Sequence, residues 1–367
     1  MVRNIIDEFS NNILGLTITS LYNKLSILQS GKFGLFRNSP RSNVVILQPP
    51  PIVERNSSHQ VKRKYKQDAQ RHLERFIAQI EKNISPENLT LMYNNLKGFK
   101  MIEVNIRLII MSIIPCLLAN SYIGGGYDGH RNKIITYSEK GLQFTKRFFQ
   151  SSHPITLESL YNHELLHMSS CNRTLGKICC GFQHTYAPFH SFVISNIGMG
   201  LNEGYTELLA ERIFSNESAG GIYEFYKEVT RLLEQIIGQE KMTNLYFKND
   251  LRGLIQQLEI YIPKKETKKF ILNLDYLIRD FGRQKYIFNY LINLISNKIK
   301  QDLNENKITP EEAKIQYEQF KETMIKLAQI LNKKAEKEKN SLITYVENFK
   351  ETDLENLFGE STPTRRK

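Results

Sequence analysis

The sequence predicts an α+β protein that is mostly α. Two short segments, 102–108 and 133–138, have the character of strands, and in the first of them apolar and polar residues alternate with the period of a half-buried strand. From about residue 223 to 350, apolar residues instead recur at three- and four-residue spacing, which indicates a series of helices. With 367 residues, 41% of them hydrophobic and 24% charged, the chain is long enough to bury a sizeable core.

The N-terminal 60 residues are predicted to form a short helix followed by a linker. Apolar residues at near-helical spacing occur within 5–29, whereas 29–60 is rich in Ser, Asn and Pro and contains a run of three prolines. The next segment, 61–83, has the pattern of a basic amphipathic helix.

A glycine-rich run, 124–129, lies between the two predicted strands. It lacks the GKS or GKT signature of a phosphate-binding loop, so we interpret it as a turn that feeds the edge of a sheet. These patterns divide the chain into four regions: an N-terminal segment and Pro/Ser/Asn-rich linker at 1–60, a domain with the small sheet and the functional motifs at 61–230, a helical subdomain at 231–350, and a polar tail at 351–367.

The formal net charge of +12 is carried by the two ends of the chain. Residues 1–100 contain 15 Lys and Arg against 7 Asp and Glu, whereas 101–230 contain 10 against 11. A basic excess can attract nucleic acid, but solvated basic helix faces explain this distribution better, so nucleic acid is the less favoured partner.

The sequence favours a reduced, cytoplasmic environment without a membrane anchor. No apolar run reaches the roughly 18 residues that a membrane-spanning helix needs, and acidic residues near the start argue against a secretory signal. The four cysteines have no CxxC spacing and are too few for a disulfide framework in a chain of this length, so we expect free thiols.

The most informative segment is 157–170, which contains the motif His163-Glu164-Leu165-Leu166-His167. Thr156 is a suitable residue to begin a helix there. On such a helix, His163 and His167 project from one face about one turn apart and can hold one Zn²⁺. Glu164 is rotated by about 100° from His163, so it is free to act on a water molecule instead of binding the metal.

A third ligand is predicted 36 positions after His167. Glu203 is the first acidic residue beyond the motif, and it opens an apolar-periodic segment in which Glu207 lies on the same helical face. Glu203 would complete a His₂Glu site, and Glu207 would accept the outer N–H of a zinc-bound histidine and fix its tautomer.

In these two motifs, His163–His167 and Asn202–Glu207, the chain resembles the gluzincin group of zinc metallopeptidases. The resemblance implies a zincin-like catalytic domain with a small sheet and an HExxH helix, followed here by the helical subdomain. It also implies Zn²⁺ as the cofactor, with His163, His167 and Glu203 as ligands, Glu164 as general base and Glu207 as an outer partner. A metzincin is excluded because Ser170 and Arg173 occupy the positions of its glycine and third histidine.

One element of the thermolysin-like pattern is missing, because no histidine follows His190. A tyrosine or arginine would then have to stabilise the developing oxyanion, and Tyr205, Arg212 and Tyr186 (in the segment between the two motifs) are candidates, with Tyr205 as our choice. His184 and His190 lie close in sequence to Cys179 and Cys180, but the spacing matches no standard zinc cluster.

The sequence thus predicts a zinc-dependent peptidase that hydrolyses peptide or protein substrates through a metal-activated water, with Glu164 as general base. The strand 133–138 is a candidate to pair with an extended substrate. The alternative is a catalytically inactive zincin-like protein that binds a partner or regulates it, with basic flanks. A protease acting as an effector on a host protein would share the same site.

Overall fold

A computed structural model describes residues 53–54, 59–104, 125–137, 156–186, 195–215, 222–277 and 283–331. In these parts the chain is mostly helical, with two four-stranded sheets. The predicted helix within 5–29, most of the linker and the polar tail 351–367 lie outside the described residues. No helix in the described ranges has the length and apolar character to cross a membrane.

The first part of the fold combines two helices with a small mixed sheet. The helices are α1 (His59–Asn83), as the basic amphipathic pattern predicted, and α2 (Thr90–Leu96). The strands are β1 (Val53–Glu54), β2 (Lys100–Val104), β3 (Gly125–Asp128) and β4 (Lys133–Tyr137). Their order is β1-β2-β4-β3, and only the β3–β4 pair is antiparallel.

This sheet corrects two expectations about the glycine-rich region. The run 124–129 was predicted to be a turn, but Gly125–Asp128 is the edge strand β3. Strand β4 was a candidate to pair with a substrate, but it lies between β2 and β3 and both of its edges are occupied. Among the described strands, the open edge on this side of the sheet is therefore that of β3.

Helix α3 (Leu157–Ser169) carries the HExxH motif, and it begins as the sequence predicted. Thr156 Oγ1 accepts a hydrogen bond from the backbone N–H of Ser159 at 3.0 Å, and Ser159 Oγ accepts one from the N–H of Thr156 at 3.1 Å. This capping box satisfies two of the donors at the start of a helix. Glu158 lies in the first turn, where the helix dipole favours an acidic residue.

The segment between the two motifs forms a second sheet that the sequence analysis missed. Four antiparallel strands follow one another in chain order: β5 (Cys171–Thr174), β6 (Lys177–Cys180), β7 (Gln183–Tyr186) and β8 (Ser195–Ile197). Tyr186 therefore lies on a strand, where its side chain is exposed. Short connections join the first three strands, so this meander returns the chain from the end of α3 towards the next helix.

Helix α4 (Met199–Phe214) carries Glu203 and Glu207, as the spacing predicted. It has no side-chain cap of its own, because Gly198 is at the N-cap position. The carboxylate of Asp275 supplies the cap and accepts hydrogen bonds from the N–H groups of Gly198 at 2.7 Å and Gly200 at 2.8 Å.

The rest of the described chain is helical, with the break that was predicted at Pro263. The helices are α5 (Ile222–Ile237), α6 (Gln239–Phe247), α7 (Leu251–Leu258), α8 (Lys264–Tyr276), α9 (Gln284–Asn304) and α10 (Pro310–Leu331). One cluster of buried apolar side chains extends from Ala69 in α1 to Ala328 in α10. The two motif-bearing helices, α3 and α4, both contribute to this cluster and pack against each other.

Candidate metal centre

Three side chains from α3 and α4 bring one potential ligand atom each to a single point. His163 Nε2 lies 3.0 Å from His167 Nε2 and 3.1 Å from Glu203 Oε2, and His167 Nε2 lies 3.5 Å from the same oxygen. Among the described residues, this is the only group of three or more His, Cys, Asp or Glu side chains with this closeness. The three residues that the sequence predicted as ligands are therefore brought together.

These distances fit the donor set of a tetrahedral zinc site. With zinc–ligand distances of about 2.0–2.1 Å, two ligand atoms of a tetrahedron are separated by about 3.3 Å. The three observed separations, 3.0, 3.1 and 3.5 Å, lie on both sides of that value. Two imidazoles and one carboxylate also form the ligand set of catalytic zinc sites, in which a fourth position remains open.

The charges around this point favour a cation. The carboxylates of Glu164, Glu203 and Glu207 are gathered around two histidines, and Glu164 and Glu207 are buried. No lysine or arginine of the described ranges lies within ion-pair distance of any of the three carboxylates. Because uncompensated buried charge is costly, a divalent cation would supply the missing positive charge.

Glu207 faces the outer nitrogen of His163. Its Oε1 lies 3.1 Å from His163 Nδ1, an ion-pair distance, although the angle is outside that of a hydrogen bond, so Nδ1 has no hydrogen-bond partner. A carboxylate at this place favours a proton on Nδ1, which leaves the lone pair of Nε2 free for a metal. This is the position that the sequence predicted for Glu207.

Two further side chains of α4 meet the outer nitrogen of His167. Asn202 Nδ2 lies 3.1 Å from His167 Nδ1, and Thr206 Oγ1 lies 3.4 Å from it. The amide nitrogen is a donor and favours an unprotonated Nδ1, whereas the hydroxyl oxygen can accept a proton from Nδ1. Metal binding through Nε2 of a neutral imidazole requires the proton to be on Nδ1. The hydroxyl oxygen of Thr206 is the acceptor for that proton.

Neighbouring side chains of the site strongly shift the pKa values of His163 and Glu203. Burial lowers the pKa of His163, but its interactions with the carboxylates of Glu203 and Glu207 outweigh burial and raise the pKa well above its ordinary value. Burial acts in the opposite direction on Glu203, whose pKa is nevertheless held far below its ordinary value by the charge of His167 and the hydrogen bond from His163. Protons and a metal ion would therefore compete for the same buried negative charge.

Glu164 lies beside the three ligands without joining them. It is buried, and its carboxylate accepts a hydrogen bond from the backbone N–H of Tyr127 in β3. Burial raises the pKa of Glu164, and the neighbouring His163 and His167 oppose that rise. The edge strand thus touches the residue that the sequence predicted as general base.

Tyr223 is a site residue that the sequence analysis did not select. It lies in α5, and its ring centroid is 6.1 Å from that of His163, with the two planes at 84°. Burial raises the pKa of Tyr223, and the charges of Glu203, Glu164 and Glu207 raise it further, so its hydroxyl stays protonated and can donate. Tyr223 lies 20 positions after Glu203, beyond the motif-bearing helix, so no spacing pattern identifies it.

Tyr205, our choice for oxyanion stabilisation, is not brought to this cluster. It is fully buried, and its hydroxyl bonds Glu234 Oε2 at 2.8 Å and Thr243 Oγ1 at 2.9 Å, both on helices beyond α4. The physical reason is helical periodicity, because a residue two positions after Glu203 is rotated by about 200° from it. Arg212, the second candidate, is paired with the same Glu234.

The histidines and cysteines between the motifs form no second metal site in the described ranges. His184 Nε2 lies 2.9 Å from the carbonyl oxygen of Asn249, and His190 lies outside the described residues. Cys171, Cys179 and Cys180 are free thiols, as expected, and Cys116 lies outside the described residues.

Comparison with known proteins adds no relative to this picture. No family model, no curated protein and no solved structure matches the chain. Its function has to be inferred from the site itself.

Proposed function

We propose that the protein is a zinc-dependent peptidase with a zincin-like catalytic domain. The observation that carries this proposal is the convergence of His163, His167 and Glu203, with Glu164 directly beside them. These three residues would hold Zn²⁺ as ligands. When bound there, the metal would lower the pKa of a water molecule and polarise a peptide carbonyl.

Glu164 is the general base in this proposal. Its carboxylate would accept a proton from the attacking water and pass that proton to the departing amine. The backbone N–H of Tyr127 donates a hydrogen bond to this carboxylate, which is buried beside the three proposed ligands.

Tyr223 is the proposed donor to the oxyanion. In hydrolysis of a peptide bond, the carbonyl oxygen gains negative charge, and a fixed hydroxyl donor close to it stabilises that charge. Tyr223 is the tyrosine whose ring meets His163, and its hydroxyl stays protonated under the influence of three carboxylates. In this proposal, Tyr223 has the role of the oxyanion-stabilising histidine that the sequence lacks.

Strand β3 is the proposed binding edge for an extended peptide. In an antiparallel strand, the backbone N–H and C=O of one residue point to the same side, and those of successive residues point to opposite sides. Because the N–H of Tyr127 points to Glu164, the backbone groups of Gly125 also point away from β4. A substrate strand added there would carry its scissile bond past Glu164.

The test combines metal analysis with one substitution. Protein purified without chelator is expected to contain about one zinc per chain. Glu164→Gln is expected to retain the metal and to lose hydrolysis of a peptide library by a factor of about 10² or more, because the base is removed without disturbing a ligand. Glu203→Gln is the matched control, and it is expected to lose both metal and activity.

Two results would overturn the proposal. One is zinc far below one per chain in the wild-type protein. The other is a Glu164→Gln variant that hydrolyses peptides as fast as wild type. A protein that binds zinc but never cleaves peptides would support the non-catalytic zincin-like alternative.

A further inference from the structure

A pair of cysteines lies on the first two strands of the second sheet, just after the helix that carries the HExxH motif. Cys171 in β5 and Cys180 in β6 are opposite each other across the antiparallel ladder, and their Sγ atoms are 2.7 Å apart. Both are buried, in a small cluster with Ile178 and Tyr127. Cys179 lies on the same strand but faces the other side of the sheet, since side chains alternate along a strand.

The surroundings favour a thiolate on Cys171. The thiol of Cys180 donates to Cys171 Sγ, and this hydrogen bond lowers the pKa of Cys171; burial opposes the shift, and the charge of Arg173 lowers the pKa further. The pKa of Cys180 is raised by the same hydrogen bond and by burial. One sulfur is therefore prepared as a nucleophile and the other as its thiol partner.

Arg173 is fixed next to the pair by neutral groups. Its guanidinium donates to Asn95 Oδ1 at 2.6 Å, to Asn132 Oδ1 at 2.7 Å and to the hydroxyl of Tyr127. No carboxylate of the described ranges lies within ion-pair distance of it. Its positive charge is thus available to the cysteines, and a guanidinium beside a thiol is a feature of reactive cysteines.

We propose that Cys171 and Cys180 are a redox-active dithiol that hydrogen peroxide converts into a disulfide. The Cys171 thiolate attacks one peroxide oxygen, so that an S–O bond forms, the O–O bond breaks and the other oxygen leaves as water after protonation. Cys180 sulfur then attacks Cys171 sulfur, the S–S bond forms, the S–O bond breaks, and the second oxygen leaves as water with the proton of Cys180. Two sulfurs are oxidised and one peroxide is reduced to two waters.

The burial of the pair selects a small oxidant. Cys171 has no exposed surface, and a Cβ placed on Gly129 would lie only 3.4 Å from its Sγ and 3.5 Å from that of Cys180. Peroxide is little larger than water, whereas oxidised glutathione must bring a bulky disulfide to the sulfur. We therefore expect peroxide to be effective and oxidised glutathione to be slow.

Tyr127 connects this pair with the proposed peptidase site. Its side chain packs against the cluster that contains Cys171 and Cys180, its hydroxyl accepts a hydrogen bond from Arg173, and its backbone N–H donates to Glu164. Oxidation removes the thiolate that faces Tyr127 and so alters the strand that holds the base. This regulatory consequence depends on the proposed peptidase function, whereas disulfide formation does not.

The experiment treats the full-length protein with hydrogen peroxide and measures thiols and intact mass. The wild-type protein is expected to lose two thiols and two hydrogens in mass, to yield a linked peptide containing Cys171 and Cys180, and to return to the starting mass with dithiothreitol. Cys179→Ser, the matched control on the same strand, is expected to behave like wild type. Cys171→Ser and Cys180→Ser are expected to form no such link.

Each result decides a separate statement. A wild-type protein that keeps all its thiols, or that forms a disulfide with Cys179 instead, would overturn the proposed Cys171–Cys180 dithiol. Because this result comes from the wild-type protein, it does not depend on whether the variants fold. If the reduced enzyme cleaves peptides, turnover is expected to fall at least tenfold on oxidation in the wild type and in Cys179→Ser. An unchanged turnover with the disulfide formed would overturn the regulation, and a reduced protein without any turnover would count against the peptidase function alone.

Discussion

Two tyrosines on neighbouring helices, the half-buried Tyr223 and the fully buried Tyr205, have different environments. Tyr223 meets the ring of His163, whereas the hydroxyl of Tyr205 is bound by Glu234 and Thr243. We therefore propose a chemical role for Tyr223 and a structural role for Tyr205. The pair offers a test in which each variant is the control of the other.

We expect Tyr223→Phe to lower kcat by about 10²–10³ with little change in KM, in zinc content or in thermal stability, because it removes a donor to the transition state. Tyr205→Phe should leave kcat unchanged but lower the free energy of unfolding by about 1–3 kcal/mol, because buried partners lose a hydrogen bond. Steady-state kinetics and urea unfolding of both variants measure this. Equal kinetic effects would contradict the assignment of Tyr223.

At the scale of elements, the contact between α4 and α5 depends on a missing side chain. Gly204 follows the proposed ligand Glu203, and a Cβ at this position would lie 2.2 Å from the carbonyl oxygen of Tyr226. Backbone cannot move away as easily as a flexible side chain. A glycine here lets α5, which carries Tyr223, approach the helix that carries Glu203.

Gly204→Ala is expected to lower the free energy of unfolding by about 1–3 kcal/mol, because the overpacking outweighs the gain of up to about 1 kcal/mol in helix propensity. Chemical denaturation gives the value. Gly126→Ala is the control, since a Cβ there meets nothing within 4 Å. A Gly204 variant as stable as wild type would show that the helices can separate without cost.

The N-terminus of α4 is held by a residue from another helix. Asp275 of α8 accepts hydrogen bonds from Gly198, Met199 and Gly200, and burial raises its pKa to about 6. An acid whose pKa is raised on folding binds protons more strongly in the folded state than in the unfolded state. Its contribution to stability therefore decreases as pH rises from about 4, its unfolded value, to about 6.

We expect the free energy of unfolding of the wild-type protein, relative to Asp275→Asn, to fall between pH 4 and pH 6. The difference should amount to about 3 kcal/mol at most, from about two units at 1.36 kcal/mol each. Denaturation of both proteins at a series of pH values measures it, and other titrating groups cancel in the comparison. A difference that is constant or rises with pH would contradict the raised pKa.

At the scale of the whole molecule, the candidate metal centre joins two parts of one core. Its three proposed ligands come from α3 and α4, which are separated in sequence by the second sheet. A ligand that binds only the folded protein stabilises it by mass action. Stability and metal content should therefore be linked.

Removal of zinc by a chelator is expected to lower the thermal midpoint. The loss in free energy of unfolding is about 2.7 kcal/mol if free zinc had been at a hundred times its Kd. Differential scanning calorimetry with and without chelator measures it, and Glu203→Ala should melt at a temperature that the chelator does not change. If the thermal midpoint of the wild-type protein does not change when the chelator is added, that would be evidence against a bound metal.

The sequence by itself determined the two motif-bearing helices and the residues that share a face on each, because both depend on local spacing. His163 and His167 share a face through the helical period, and Thr156 begins their helix through a contact three residues away. The α+β, mostly helical character also followed from periodicity alone. The zincin-like assignment remains a proposal that these motifs support.

Only the tertiary structure decided which other residues meet the motifs. Tyr223, Asp275 and the Tyr127 backbone come to the two helices from distant parts of the chain, and no pattern of spacing encodes such encounters. The formation of a strand by the glycine-rich run and the pairing of Cys171 with Cys180 likewise depend on which segments of the chain lie next to each other. Local periodicity is a property of one segment, whereas packing is a property of pairs of segments, and it is packing that completes this site.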